Sequence, residues 1–192
     1  MKKDFNEKSF AELYIKKHKK ILRELGHHYS KKLKNGGFSA GRIIDVGCGF
    51  GEMCMVLAEE IPECDVVGVD LSDHLLDYAR KNVSRESVGS RVKFETADVE
   101  KMSFVDNSFD VAFNVNMVHW VGDPLAMLKE IERILKPEGY LFVKDLRKSW
   151  LGLFEKEINN ALTLDEAKKL ISDSKLRKGS FSSSLLWWNF EA

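Results

Sequence analysis

The apolar residues of this chain follow two different rhythms. Within the first 37 residues Phe10, Leu13, Tyr14, Ile21, Leu22, Leu25, Tyr29 and Leu33 recur at roughly helical spacing, which predicts one or two amphipathic helices with a break at Gly26. From Arg42 onward, short β-rich runs alternate with helical stretches. Strands are predicted over 42–47, 65–70, 91–97, 109–114 and 140–146. Helices fall between them: about 52–61, then from Ser72 as N-cap to about 85, then from Pro124 to about Leu135, where Pro137 and Gly139 are expected to stop the helix. A helical piece over 150–162 precedes Thr163, whose hydroxyl and following acidic residues suit a helix start. The Ser- and aromatic-rich tail has no helical period and reads as one or two closing strands.

Strands that alternate with helices require a parallel sheet covered on both faces, because each right-handed crossover lays its helix on one side. The predicted fold is therefore α/β, a doubly wound Rossmann-like sheet with an N-terminal helical extension. With no internal repeat, 1–192 reads as a single domain, made of a helical lid over 1–37 and an α/β core over 40–192.

Composition narrows the possible functions. At 192 residues, with 44% hydrophobic and 31% charged, the chain has the make-up of a folded domain. Its apolar runs are too short to span a bilayer and no secretory signal is visible, so a cytoplasmic location is expected. Three cysteines, Cys48, Cys54 and Cys64, lack both disulfide pairing and zinc-site spacing, so they are expected as reduced thiols, with no metal site. Net charge is zero but unevenly placed: the first 37 residues hold 11 Lys/Arg against 4 Asp/Glu, a net +7 that the remainder balances.

The most informative segment is Ile43-Ile44-Asp45-Val46-Gly47-Cys48-Gly49-Phe50-Gly51-Glu52, a buried strand, a glycine turn and a helix start. Alternate glycines permit positive φ and let a ligand approach the backbone. In an open α/β sheet such a turn lies at the carboxyl ends of the strands, where ligands bind. A dinucleotide would place its pyrophosphate at the helix N-terminus, within a GxGxxG pattern. Here the pattern is GxGxG, Glu52 stands where that third glycine would be, and Asp45 precedes the turn. Two carboxylates oppose a pyrophosphate and favour a ligand with positive groups, a description that S-adenosylmethionine fits through its ammonium and sulfonium. Asp70 ends the second strand, where a carboxylate can take both ribose hydroxyls. Leu71 can cover one adenine face, Asp98 can accept from the exocyclic amine, and the Val99 backbone N–H can donate to a ring nitrogen.

The segments IIDVGCGFGE, VVGVDLS, ETADVEKMSFVDNSFDVAF and LKEIERILKPEGYLFVKDL, in that order, resemble the class I S-adenosylmethionine-dependent methyltransferases, and most of all the small ones of the ubiquinone/menaquinone-biosynthesis type. The resemblance covers about 40–147. It implies a seven-stranded sheet with an antiparallel last strand, two of the strands coming from the 177–191 tail. By position it places Asp45 and the turn backbone at Gly47, Cys48, Gly49 and Gly51 near the methionyl part, Asp70 on the ribose, Asp98 and Val99 at adenine, and Asn114 on the methionine side. No Asn/Asp-Pro-Pro-aromatic sequence follows the fourth strand, which argues against the amino-methyltransferases of bases and glutamine amides.

Methyl transfer from a sulfonium is an in-line displacement on an activated donor, so positioning supplies much of the rate. Where the acceptor must lose a proton, a base within reach helps, and His119 in Asn114-Val-Asn-Met-Val-His119-Trp120 is the candidate catalytic residue. Structural packing is the competing role for it. Asn116 and Trp120 are candidate acceptor-pocket residues, and Tyr14 and His18 could close over the cofactor. Asp145 and Arg147 are expected to bond each other. The expected acceptor is a small or medium organic molecule, on a monomer or homodimer without nucleic-acid binding. The alternatives are a non-catalytic S-adenosylmethionine-binding regulatory module and a methyltransferase acting on RNA or protein, for which the basic N-terminal segment would be the electrostatic footprint.

Overall fold

The computed structural model describes residues 7–84, 87–149 and 156–192. Along the chain the elements are α1 (Lys8–Asn35), β1 (Ala40–Val46), α2 (Glu52–Glu60), β2 (Glu63–Asp70), α3 (Asp73–Val83), β3 (Val92–Thr96), β4 (Phe109–Val115), α4 (Pro124–Ile134), β5 (Leu135–Leu146), α5 (Lys156–Asn160), α6 (Leu164–Ser174), β6 (Ser180–Ser183) and β7 (Trp187–Glu191). The strands form a seven-stranded sheet in the order β3-β2-β1-β4-β5-β7-β6, the doubly wound arrangement expected. Two compact units, up to Asp98 and from Val99 on, are described in turn.

In the first unit β1, β2 and β3 run parallel, so their carboxyl ends share one edge. Ile43, Ile44, Val46, Val66, Val67 and Val69 are buried, the continuous apolar pattern of strands covered on both faces. The N-terminal segment is one unbroken helix of 28 residues, and the break expected at Gly26 does not occur. Gly26 instead marks the crossing of α1 over α2: a Cβ there would lie 2.8 Å from Val56 Cβ, so only glycine permits this approach. A mid-helix glycine costs about 1 kcal/mol relative to alanine, and burial of Tyr29 and Leu33 on the same helix offsets it. The Ser72 hydroxyl caps α3 by accepting from Leu75 N–H at 3.3 Å, as predicted.

The second unit differs from expectation at its centre. β5 begins directly after α4, and Pro137 and Gly139 lie inside it. The cause is a register shift: Phe109 pairs with Leu135 but Val111 pairs with Tyr140, so extra residues on β5 bulge outward. Proline lacks the ladder N–H and is tolerated in a bulge, and a Cβ at Gly139 would crowd Asp110 O at 2.9 Å. Arg177 donates to the bulge carbonyls of Lys136, Pro137 and Gly139 at 2.9, 3.1 and 2.7 Å. The tail supplies both closing strands, β7 antiparallel to β5 and β6 antiparallel to β7. The Trp187-Trp188 pair alternates as a strand requires: Trp188 is fully buried against Phe181, and Trp187 is half-buried under Lys144. Thr163 opens α6 with a complete capping box. Of the helical piece expected over 150–162, α5 is present and 150–155 lie outside the described residues. Among the described residues, no helix is long and apolar enough to cross a membrane.

Candidate cofactor site and buried histidine

The turn after β1 is held from below by the end of β2. Gly47 and Cys48 donate their N–H groups to Val69 O at 2.8 and 2.9 Å. Gly47, Gly49 and Gly51 all adopt positive φ, at 82°, 55° and 74°, a region other residues enter only at a cost. Their surroundings assign them different tasks. A Cβ on Gly51 would run into the Phe94 ring and Ala79, so this glycine serves the packing of helix on strand. A Cβ on Gly49 would meet nothing nearer than Leu75 Cδ1 at 3.9 Å, so this glycine leaves open space above the turn.

Asp70 ties the turn to the next helix. Its Oδ2 accepts from Gly49 N–H and its Oδ1 from Ser72 N–H, both at 2.9 Å. Burial pushes its carboxyl up from the ordinary value, and the backbone N–H groups of Ser72, Gly49 and Leu71 oppose that shift. Each oxygen keeps further accepting capacity, since an ionised carboxylate offers about four lone-pair sites. Leu71, next in sequence, holds its apolar side chain 56% exposed. Asp98 stands exposed just past β3, whose end is joined to β2 by Ala97 N–H donating to Asp70 O at 3.1 Å. Open space over a positive-φ turn, a strand-end carboxylate with accepting capacity and a neighbouring exposed apolar side chain together fit an adenosine-bearing ligand.

Both carboxylates that flank the turn in the sequence are buried, so neither is the exposed negative charge expected there. Asp45 is buried beneath the turn, where Cys54 Sγ donates to its Oδ2 at 3.5 Å. Burial, less the effect of that thiol and with the Asp70 charge added, pushes its carboxyl up to about 7. Glu52, also buried, turns toward α1: Arg23 donates to its Oε1 at 3.1 Å, and Lys19 Nζ lies 3.8 Å from its Oε2. Burial likewise raises the Cys48 thiol, and raises Cys54 to about 11, so both stay protonated near neutrality.

Helix α1 covers the turn. Ala11 and Ile15 form a cluster with Phe50 and Leu75, and Tyr14 and Tyr78 pack against it. The Tyr14 and Phe50 rings meet edge-on with centroids 6.2 Å apart. His18 stacks beside Tyr14 at 4.1 Å and makes a 2.9 Å hydrogen bond to Tyr14 O. Phe50 is the residue that sequence reasoning missed: it anchors the covering helix from within the glycine turn, and its bulk amid glycines was the signal.

In the second unit Val99 is buried, and Asn114, also buried, donates through Nδ2 to Met127 Sδ at 3.4 Å. His119 does not stand alone: its Nδ1 lies 2.6 Å from Asp145 Oδ1. The expected Asp145–Arg147 pair is not formed: Asp145 is taken up by the His119 ring, and Arg147, just past the end of β5, donates to Ser184 O at 3.0 Å.

Comparison with known proteins agrees with this geometry. A family model described as a methyltransferase domain matches residues 38–185. An uncharacterized methyltransferase of Schizosaccharomyces pombe is 31% identical over 134 residues, covering 67% of this chain and 48% of that protein. A demethylmenaquinone methyltransferase of Lactobacillus johnsonii is 31% identical over 109 residues, covering 56% of this chain and 43% of its own. The chain thus spans about half the length of these curated relatives. In fold it is similar to a putative S-adenosylmethionine-dependent methyltransferase from Methanococcus maripaludis, with a TM-score of 0.79 at 19% identity over 99% of this chain and 94% of the other. From the matched family and the sheet order, the chain belongs to the class I S-adenosylmethionine-dependent methyltransferases.

Proposed function

We propose that this methyltransferase acts on a small or medium organic acceptor and that His119 serves as its general base. In this reading the Gly47, Cys48 and Gly49 backbone borders the methionyl part of the cofactor, with Asp45 beneath it and Gly51 keeping the turn in shape. Asp70 takes the ribose hydroxyls, and Leu71 and Asp98 meet the adenine. Val99 and Asn114 carry the adenine and methionyl roles that the family pattern gives their positions. When bound, S-adenosylmethionine supplies an electrophilic methyl group.

One observation carries the choice of a small acceptor over RNA. Three of the cations of α1 are engaged within the chain: Lys19 and Arg23 meet Glu52, Arg23 also meets Glu59, and Lys34 meets Glu60 at 2.7 Å. Cations held by neighbouring carboxylates are less available to a phosphate backbone, which favours the small acceptor. Relatives are named for acceptors as different as demethylmenaquinone, phosphoethanolamine and malonyl-acyl carrier protein, so the scaffold suits many acceptors. The buried His119–Asp145 pair favours an enzyme over a passive cofactor-binding module.

The test follows the methyl group. With methyl-labelled S-adenosylmethionine and a cell extract, label should accumulate in the low-mass fraction and depend on an intact Gly49 turn. Label confined to RNA or protein would move the macromolecular reading to first place.

A further inference from the structure

Among the described residues of the second unit, His119 and Asp145 form the most completely buried charge-capable pair, with side chains 0% and 1% exposed. Three donors converge on the Asp145 carboxyl. Leu146 N–H donates to Oδ1 at 2.6 Å, His119 N–H to Oδ2 at 3.4 Å, and the His119 ring approaches Oδ1 through Nδ1 at 2.6 Å. A carboxyl surrounded by backbone N–H donors is held as an acceptor. The proton of the ring bond therefore sits on Nδ1.

The other ring nitrogen is left in a defined state. In the neutral ring one nitrogen donates and the other accepts, so Nε2 carries the lone pair. His119 Nε2 is buried and has no hydrogen-bond partner among the described residues, although most buried polar atoms find one. The ring cannot easily turn to find a partner. Asn116, at φ 58°, begins the loop in the left-handed region and donates its N–H to Lys144 O at 2.8 Å, and Trp120 N–H closes onto Met117 O at 2.8 Å. The loop after β4 is thus fastened to the end of β5 ahead of the histidine and closed on itself across it.

The geometry points to Asp145 as a positioning residue that fixes the Nδ1–H tautomer of His119 and so presents Nε2 as a proton acceptor. This rests on the reading of His119 as general base and deepens it by naming a class of acceptor: one whose methylated atom bears a removable proton, such as a hydroxyl, phenol or enol. In the step it serves, the acceptor's O–H proton passes to Nε2 while an oxygen electron pair forms the bond to the methyl carbon. The carbon–sulfur bond breaks with its pair going to sulfur, and the imidazolium later releases the proton to solvent. An acceptor that attacks without losing a proton, such as a thioether or tertiary amine, makes no use of this arrangement.

Two measurements test it, one of them independent of methyl transfer. In protein labelled with nitrogen-15 histidine, long-range proton–nitrogen spectra at neutral pH should show His119 protonated at Nδ1 and bare at Nε2. Asp145→Asn, whose amide oxygen can replace Oδ1, should keep that pattern, and Asp145→Ala should shift the ring toward Nε2–H. A wild-type ring protonated at Nε2 overturns the proposal even if the enzyme proves to be a methyltransferase. For turnover, S-adenosylhomocysteine release is measured with a panel of phenols and enols against a panel of thioethers and tertiary amines. His119→Gln should lower kcat on the first panel by ~100- to 10,000-fold with cofactor affinity unchanged. Asp145→Ala should also lower kcat rather than raise KM, and Asp145→Asn should recover most of that loss. Turnover confined to the second panel, or kcat unchanged in Asp145→Ala, would leave the pair a packing feature. If Asp145→Ala does not fold, the wild-type and Asp145→Asn spectra decide.

Discussion

The backbone N–H of Gly49 donates to Asp70 Oδ2 at 2.9 Å, so the carboxylate assigned to the ribose is the same group that fixes the glycine turn. Its other oxygen fixes the start of α3 through Ser72 N–H. Removing it should therefore do more than delete one ligand contact. Asp70→Ala is expected to weaken S-adenosylhomocysteine binding by roughly 1–3 kcal/mol, and to raise amide exchange at Gly47 to Gly51. Calorimetry reads the first effect and hydrogen exchange the second. Weakened binding with unchanged exchange would confine Asp70 to the ligand.

The neighbouring glycines should respond differently to the same kind of change. Gly49→Val points into open space but forces a β-branched residue to φ 55°, so the protein should fold with some loss of stability and lose the cofactor. Gly51→Ala drives a methyl group into Phe94 and Ala79 at positive φ, and should cost about 2–4 kcal/mol of stability from overpacking and backbone strain. Thermal melts with and without S-adenosylhomocysteine separate the outcomes: a lost ligand shift for the first variant, a lowered melting temperature for the second.

Asp45 should make stability fall as pH rises toward neutrality. Its carboxyl is raised to about 7 in the folded chain, against about 3.9 unfolded. Between those values the folded state binds more protons than the unfolded state, so stability decreases with increasing pH and levels off above 7. Asp45→Asn removes the titration. It should therefore stabilise the protein at pH 8 relative to wild type by on the order of 4 kcal/mol more than at pH 4. Urea unfolding at the two pH values measures this, and a difference that is the same at both would reject the assignment.

The Arg23–Glu52 pair should behave as a coupled unit. Glu52 is buried and Arg23 half-exposed, so Arg23→Ala leaves a carboxylate short of its main partner and should cost about 1 kcal/mol, between the values for surface and buried pairs. Adding Glu52→Gln should recover part of that loss, which a double-mutant cycle by thermal unfolding would detect.

Much of this was legible in the sequence because the fold repeats one local unit. Short β-rich runs, the Ser72 and Thr163 caps and the strand-end acids Asp70 and Asp98 follow from rules acting over a few residues. What the sequence could not show depended on contacts distant along the chain. Gly26 looks like a helix breaker until Val56 is placed against it. Glu52 looks like a ligand-facing charge until Arg23 arrives from α1, and Asp145 looks like a partner for Arg147 until the loop after β4 brings His119 beside it. Pro137 and Gly139 read as terminators because a bulge that absorbs both has no signature of its own in composition.

The central claim is that the glycine turn and Asp70 form the seat of S-adenosylmethionine rather than of a dinucleotide, and titration calorimetry on the unmodified chain tests it most directly. S-adenosylhomocysteine should bind with micromolar affinity and raise the melting temperature through linkage, while NADH should give neither heat nor shift. Binding of NADH with no response to S-adenosylhomocysteine would contradict the account.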